Sequence, residues 1–274
     1  MIYLDNSASS YYKPQQVINA VANALQYLPA NAGRSGHSEA LKGAKLVLNA
    51  RNKSAEFLGL TNGNIIFTDN CTGAINMAIM GVVKKGHIVT TVYEHNAVLR
   101  TLYALKNSGI ISLSVAMPNE RGQITADGVQ KHLTEQTFMV VVNHISNVTG
   151  AINDIAGIGE LCRKKGIIFL VDGAQSVGYE KVNMDEMKID LLAVAPHKGL
   201  HAPQGVGVLA VRDGIDLKAV RFGGTGTESD KLSQPQTLPE GLEVGTLPIP
   251  AIAGLTSAIE WTKKHENDNR QRVC

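Results

Sequence analysis

The chain has 274 residues, with 26 Lys+Arg against 24 Asp+Glu and a net charge of +2 when the histidines are neutral. That balance, without any Lys/Arg cluster, excludes an electrostatic nucleic-acid surface, and a content of 44% hydrophobic and 18% charged residues excludes a disordered chain and predicts a sizeable core. No apolar run reaches membrane-spanning length and the N-terminus MIYLDNSASS lacks a basic-then-apolar leader, which predicts a cytoplasmic protein with no membrane partner.

Pro14 suits the first position of a helix, and Val17, Ile18, Val21, Leu25 and Leu28 follow at helical spacing, predicting an amphipathic helix over 14–28. A second stripe, Leu41, Ala44, Leu48, Ala55 and Leu58, predicts a longer helix ending at Gly59, a glycine suited to the left-handed C-cap conformation. Beyond it, short β-branched runs at 64–68, 87–91, 110–115, 138–142, 167–171 and 190–195 alternate with helical segments such as 73–84, 96–106 and 154–165. That alternation predicts an α/β fold with a mostly parallel, buried central sheet flanked by helices. Residues 222–247, rich in Gly, Thr, Ser and Pro, read as a long loop of the functional or mobile kind, and PIPAIAGLTSAIEWTKKH then starts another helix.

In an open α/β sheet, ligands bind beyond the carboxyl ends of the strands, so the polar residues that follow strands come first. The run IIFLVD ends in Asp172 and continues Gly173-Ala174-Gln175, LLAVA is followed by Pro196-His197-Lys198, and NIIFT is followed by Asp69-Asn70-Cys71-Thr72-Gly73 opening a helix. Singly, such an Asp reads as a helix cap, such a Lys as a solvated surface charge, and Thr72 as either N-cap or ligand. Together they supply what pyridoxal 5'-phosphate needs: an amine for its aldehyde, a carboxylate for its ring nitrogen and a helix N-terminus for its phosphate.

Two other patterns carry less. Gly205-Val206-Gly207-Val208-Leu209-Ala210 fits a dinucleotide fingerprint but precedes and enters a strand instead of leading from one into a helix. His197 and His201 stand four apart like a zinc pair, yet Gly199 lies between them, Pro203 follows and no Glu sits beside the first, so no metal is predicted. Cys71, Cys162 and Cys274 are too few and too widely spaced for a disulfide framework or a Cys-x-x-Cys metal site, which predicts reduced thiols.

The motifs Asn31-Ala32-Gly33-Arg34-Ser35-Gly36-His37, Phe67-Thr68 through Asn76, Glu94-His95-Asn96, Ser146-Asn147, Val171 through Ser176, His197-Lys198 and Gly245-Thr246 resemble those of the class V aminotransferases, in their cysteine desulfurase and selenocysteine lyase branch. The resemblance spans essentially the whole chain and implies a fold-type-I pyridoxal phosphate-dependent transferase acting as a homodimer. It makes Lys198 the lysine that takes the cofactor aldehyde, Asp172 the partner of the ring nitrogen and His95 the residue that stacks on the ring. Asn147 and Gln175 become hydrogen-bond partners near the ring hydroxyl, Cys71, Thr72 and His197 the phosphate cradle, and Thr246 a residue reaching the partner's phosphate. Arg34 and His37, in a glycine-containing loop, are candidate rim residues.

The resemblance also implies departures. The family commonly places a phosphate-binding serine where this chain has Ala195, and it continues into a C-terminal small domain of roughly a hundred residues. That domain carries the nucleophilic cysteine and the arginine for the substrate carboxylate. The implied organisation is an N-terminal arm at 1–13, a cofactor-binding large domain at 14–246 and the start of a truncated small domain at 247–274. The implied activity is a cysteine desulfurase-like removal of sulfur or selenium from a cysteine-type amino acid, with a separate sulfur-acceptor protein as a candidate partner. Cofactor binding with little turnover is expected of these residues alone. The alternatives are a non-catalytic cofactor-binding remnant and a class V aminotransferase acting on a small amino acid.

Overall fold

A computed structural model of the chain describes residues 2–28, 37–227 and 230–265. Among the described residues the strands are β1 (Gly63–Thr68), β2 (Gly86–Thr91), β3 (Ile111–Ala116), β4 (Thr137–Asn143), β5 (Ile168–Asp172), β6 (Leu191–Val194) and β7 (Gly207–Arg212). They form one sheet in the order β1-β7-β6-β5-β4-β2-β3. β2 pairs in parallel with β3 and β4, and β4, β5 and β6 continue in parallel. β7 runs antiparallel to both its neighbours, β1 and β6. All the other strands therefore end at one edge of the sheet.

The sequence runs read as buried strands because both faces of the sheet are covered. Every residue of β4 is buried, and alternate side chains feed two apolar layers. Val140, Val142, Phe169 and Val171 pack with Ile155 and Ile158 on one face, while Met139, Val141 and Leu170 pack with Ile75, Ile79 and Leu102 on the other.

The helices are α1 (Gln15–Tyr27), α2 (Ser38–Phe57), α3 (Cys71–Val82), α4 (Asn96–Asn107), α5 (Ala126–Gln130), α6 (Ile155–Lys165) and α7 (Ile249–Lys264). Pro14 is the N-cap of α1, so the helix begins one position after the expected start, and Gly59 adopts φ +61 just past α2 as its C-terminal glycine. The short α5, capped by Thr125, was not legible as a periodic stripe.

The inward faces of α1 and α2 match the predicted stripes only in part, at Val17 and at Leu58 just past α2. On α2 the buried positions are Ala40, Gly43, Val47, Ala50 and Ser54, whereas Leu41 and Leu48 are 52% and 58% exposed. On α1, Val17 and Ala24 are buried while Ile18 and Leu25 face outward. α1 and α2 both lie against α7, and apart from Val17 and Val47 their buried residues are small, so size did not mark the buried side. The described part of 222–247 is irregular, as expected, and is anchored by the buried Leu242 and Glu243.

Candidate active site

Five strands deliver the residues at or beyond their carboxyl ends to one cavity of about 210 Å³. β1 leads to Asn70, Cys71 and Thr72, β2 to His95, and β4 to Asn147 by way of Asn143 and Ile145. β5 ends at Asp172 and continues through Ala174 and Gln175, and β6 is followed by Ala195, His197 and Lys198. Ala8 of the N-terminal segment closes one side. Cys71, Thr72, His95, Asn147, Asp172, Gln175, His197 and Lys198 are thus brought together, whereas Thr246 is exposed and outside this lining. Arg34, with the rest of 31–36, and Cys274 lie outside the described residues; His37 caps α2, its Nδ1 accepting from the Ala40 N–H at 3.2 Å.

The start of α3 is built to receive an anion. Asn70 Oδ1 accepts from the Gly73 N–H at 2.9 Å and the Asn70 carbonyl from the Ala74 N–H at 3.1 Å. The first-turn N–H groups of Cys71 and Thr72 precede the helical ladder and have no carbonyl of their own helix to bond. A Cβ on Gly207 would lie 2.3 Å from the Asn70 carbonyl carbon and 2.6 Å from Thr68 Oγ1, so glycine lets β7 begin against this turn. Close packing thus accounts for a glycine that imitates a nucleotide fingerprint. Ala195, buried at the pocket, offers no hydroxyl here.

Asp172 is buried, and its Oδ1 accepts from the Ala174 N–H at 2.9 Å and faces Cys71 Sγ at 3.9 Å. Burial pushes its pKa up, opposed by the Ala174 N–H and then by His95 and Lys198. A carboxylate so placed fits a cationic ring N–H. The Cys71 thiol is pushed well above its ordinary pKa by burial and then by the Asp172 charge, and Cys162, inside α6, is pushed up to about 12 by burial. Neither is a ready thiolate. His95 Nδ1 accepts from the Ala97 N–H at 3.1 Å, which leaves its proton on Nε2.

Two residues that were assigned no role from the sequence shape the site, although Glu94 stood in the motif Glu94-His95-Asn96. Asn143 donates through Nδ2 to the Tyr93 carbonyl at 2.6 Å, and its own carbonyl accepts from Asn153 Nδ2 at 2.8 Å. It stands one position past the apolar run 138–142, where the rule of looking just beyond strands would have found it. Buried behind it, Glu94 accepts through Oε1 from Thr91 Oγ1 at 2.7 Å and from the Asn143 N–H at 2.9 Å, while Oε2 has no partner. Burial pushes the Glu94 pKa up to about 8, with the Asp172 charge adding to it.

The N-terminal segment braces the other side. Gln175 Nε2 donates to the Ser7 carbonyl at 3.0 Å, His197 Nδ1 meets Ser9 Oγ at 3.1 Å, and His201 Nδ1 donates to the Tyr12 carbonyl at 3.0 Å. Both histidines of the zinc-like pair therefore have Nδ1 engaged by this segment. Burial, then the charges of Lys198 and Lys13, lower the His197 pKa.

The family model of the aminotransferases of class V (Aminotransferase class-V) matches residues 2–273. The chain is 34% identical to "Cysteine desulfurase IscS" of Stutzerimonas stutzeri (strain A1501), over 99% of this chain and 66% of that protein, and 33% identical to the protein so named of Photorhabdus laumondii, over the same shares. It thus spans about two thirds of the length of the curated relatives it matches. Among solved structures, the apo cysteine desulfurase of Thermococcus onnurineus NA1 superposes with a TM-score of 0.87 at 29% identity, covering 97% of this chain and 68% of that one. A structure described as SspA in complex with cysteine gives 0.85 at 30% identity, covering 95% and 72%.

Proposed function

The chain belongs to the aminotransferase class-V family, and on that premise we propose that its pocket binds pyridoxal 5'-phosphate and removes sulfur or selenium from a cysteine-type amino acid. The observation that carries this reading is the meeting of Lys198, Asp172 and the open N-terminus of α3 in one cavity. Pyridoxal phosphate, when bound, supplies an aldehyde that takes an amine and a protonated ring that draws electrons from the reacting carbon. The donor set fits. Cys71 and Thr72 offer backbone N–H groups, with the Thr72 hydroxyl, to the phosphate, aided by the helix dipole. Asp172 accepts the ring N–H, Lys198 supplies the amine, and His95, Asn147 and Gln175 orient the ring. Lys198 Nζ is also the base for the substrate Cα proton.

Sulfur transfer from cysteine requires a thiolate nucleophile. Cys71 and Cys162, both held neutral, do not supply it. We assign the sulfur-accepting thiol to a group outside the described residues or to a separate acceptor protein. We further propose a homodimer in which Thr246 reaches the partner's phosphate site. The outward Ile18 and Leu25 on α1, and Leu41 and Leu48 on α2, each pair seven residues apart on one helical face, support a covered surface. Borohydride reduction of the cofactor-loaded chain, followed by peptide mapping, is expected to label Lys198, and whatever sulfide and alanine release from cysteine the chain shows is expected to vanish in Lys198→Ala. Label on another lysine, or turnover unchanged in Lys198→Ala, overturns the reading.

A further inference from the structure

The turn that carries Lys198 satisfies most of its carbonyls internally. Ala195 O accepts from the Lys198 N–H at 3.1 Å, Pro196 O from the Ala202 N–H at 3.0 Å and Lys198 O from the His201 N–H at 3.0 Å. The His197 carbonyl instead faces the N-terminal segment. It accepts from the Ser10 N–H at 3.1 Å, from Ser10 Oγ at 2.9 Å and from Lys13 Nζ at 3.0 Å, with Ser9 Oγ at 3.4 Å. More donors converge than the two lone pairs of a carbonyl require, and the cationic donor makes the strongest kind of bond.

Lys13 does not behave as a surface lysine. Such side chains lay their stems on the protein and keep the ammonium in water, whereas this one is half-buried, donates also to Ser10 Oγ at 2.7 Å and has its pKa lowered to about 8 by burial. What the bond to His197 fixes follows from peptide geometry. The carbonyl oxygen of residue 197 lies in the rigid plane that ends at the Cα of Lys198. Held at that oxygen by Lys13 and at the Lys198 N–H by Ala195, the plane cannot rotate, and the Cα–Cβ direction of Lys198 is set with it.

We propose that Lys13 is a positioning residue: its ammonium, clamped on the His197 carbonyl, holds the peptide plane that carries Lys198 into the pocket. This rests on the reading of the pocket as a pyridoxal phosphate site with Lys198 as its amine. The test compares Lys13→Met, which keeps the stem and removes the charge, with Lys13→Arg, which restores a cationic donor. The readouts are the cofactor Kd by visible absorption, the circular-dichroism band of the bound cofactor, which reports its orientation, and the urea midpoint of the apo protein.

Lys13→Met is expected to weaken cofactor binding by about tenfold, the effect of losing one charge-assisted bond, and to shrink the dichroic band, while Lys13→Arg recovers the band. If Lys13→Met does not fold, Ser10→Ala, which removes the hydroxyl between the ammonium and the carbonyl, is expected to move the band in the same direction. Unchanged affinity and an unchanged band in Lys13→Met, or in Ser10→Ala where it replaces that variant, overturn the proposal while the unsubstituted chain is still labelled at Lys198. If the unsubstituted chain binds no cofactor at Lys198, the pocket reading fails and this proposal falls with it.

Discussion

Truncating Glu243 to alanine should destabilise the fold far more than the loss of an ordinary surface charge. β1 lies at the edge of the sheet, so its outward N–H and C=O groups need partners other than a strand. The pair Arg51–Glu243 provides them: Glu243 Oε1 accepts from the Phe67 N–H at 2.7 Å, and Arg51 Nη1 donates to the Ile65 carbonyl at 2.5 Å. The two side chains are joined by bonds of 2.7 and 2.5 Å, and their side chains are only 17% and 5% exposed for Arg51 and Glu243. Glu243→Ala leaves a buried guanidinium without its counter-charge and the Phe67 N–H without an acceptor, a loss of about 3–5 kcal/mol. At roughly 2–4 °C per kcal/mol for a domain approaching this size, Tm should fall by roughly 6–20 °C. Because β1 runs directly into the turn that opens α3, cofactor affinity should fall with it. Calorimetry and urea titration measure the first effect and absorption titration the second. A loss below about 1 kcal/mol, the worth of an exposed ion pair, would refute the reasoning.

Asp172→Asn should leave the fold and cofactor binding in place but lower the reactivity of the bound cofactor toward cysteine, followed by absorption, by roughly 10²–10³-fold, as loss of one electrostatic contact in a reacting site does; unchanged reactivity would make Asp172 a merely structural carboxylate. Glu94 should impose a pH dependence on stability. With a folded pKa of about 8 against an ordinary 4.5, the folded chain keeps this proton while the unfolded chain has lost it, so stability falls as pH rises between those values, by up to about 1.4 kcal/mol per pH unit. Glu94→Gln, which cannot ionise, should flatten urea-denaturation midpoints across pH 5 to 8, and a slope equal to that of the unsubstituted chain would count against a protonated Glu94.

What could be read from the sequence follows physical lines. The central parallel strands β4, β5 and β6 were legible because burial on both faces leaves nearly uninterrupted apolar runs, and Asp172 and Lys198 stood out as polar residues at or just after such runs. The inward faces of α1 and α2 were misread in part because, apart from Val17 and Val47, their buried residues are Ala, Gly and Ser, while larger residues such as Leu41 and Leu48 point outward. The bracing of the pocket was not legible at all. Lys13 meets the His197 carbonyl across 184 positions of sequence, and Glu243 meets the Phe67 N–H across 176, and nothing local to either residue marks such a contact.

The placement of charge explains why a pocket lined by one buried carboxyl, with a second buried behind it, can present an anion to a ligand. Glu94 and Asp172 repel each other electrostatically, and burial raises the pKa of both. Glu94 accepts from a hydroxyl and one N–H, leaves Oε2 unbonded and does not line the cavity. Asp172 has the Ala174 N–H and, across the cavity, His95 and Lys198, all of which favour its charged form. When two interacting acids differ in this way, the one with a positive neighbour, here Lys198, loses its proton first and its charge holds the proton on the other. Glu94 is therefore the member that stays neutral, tying the end of β2 to the start of the β4 loop through the Asn143 N–H, and Asp172 is the member whose negative charge faces the pocket. Replacing Glu94 with a neutral hydrogen-bonding residue should leave that division intact, whereas neutralising Asp172 removes the charge that the ring nitrogen of a bound cofactor would meet.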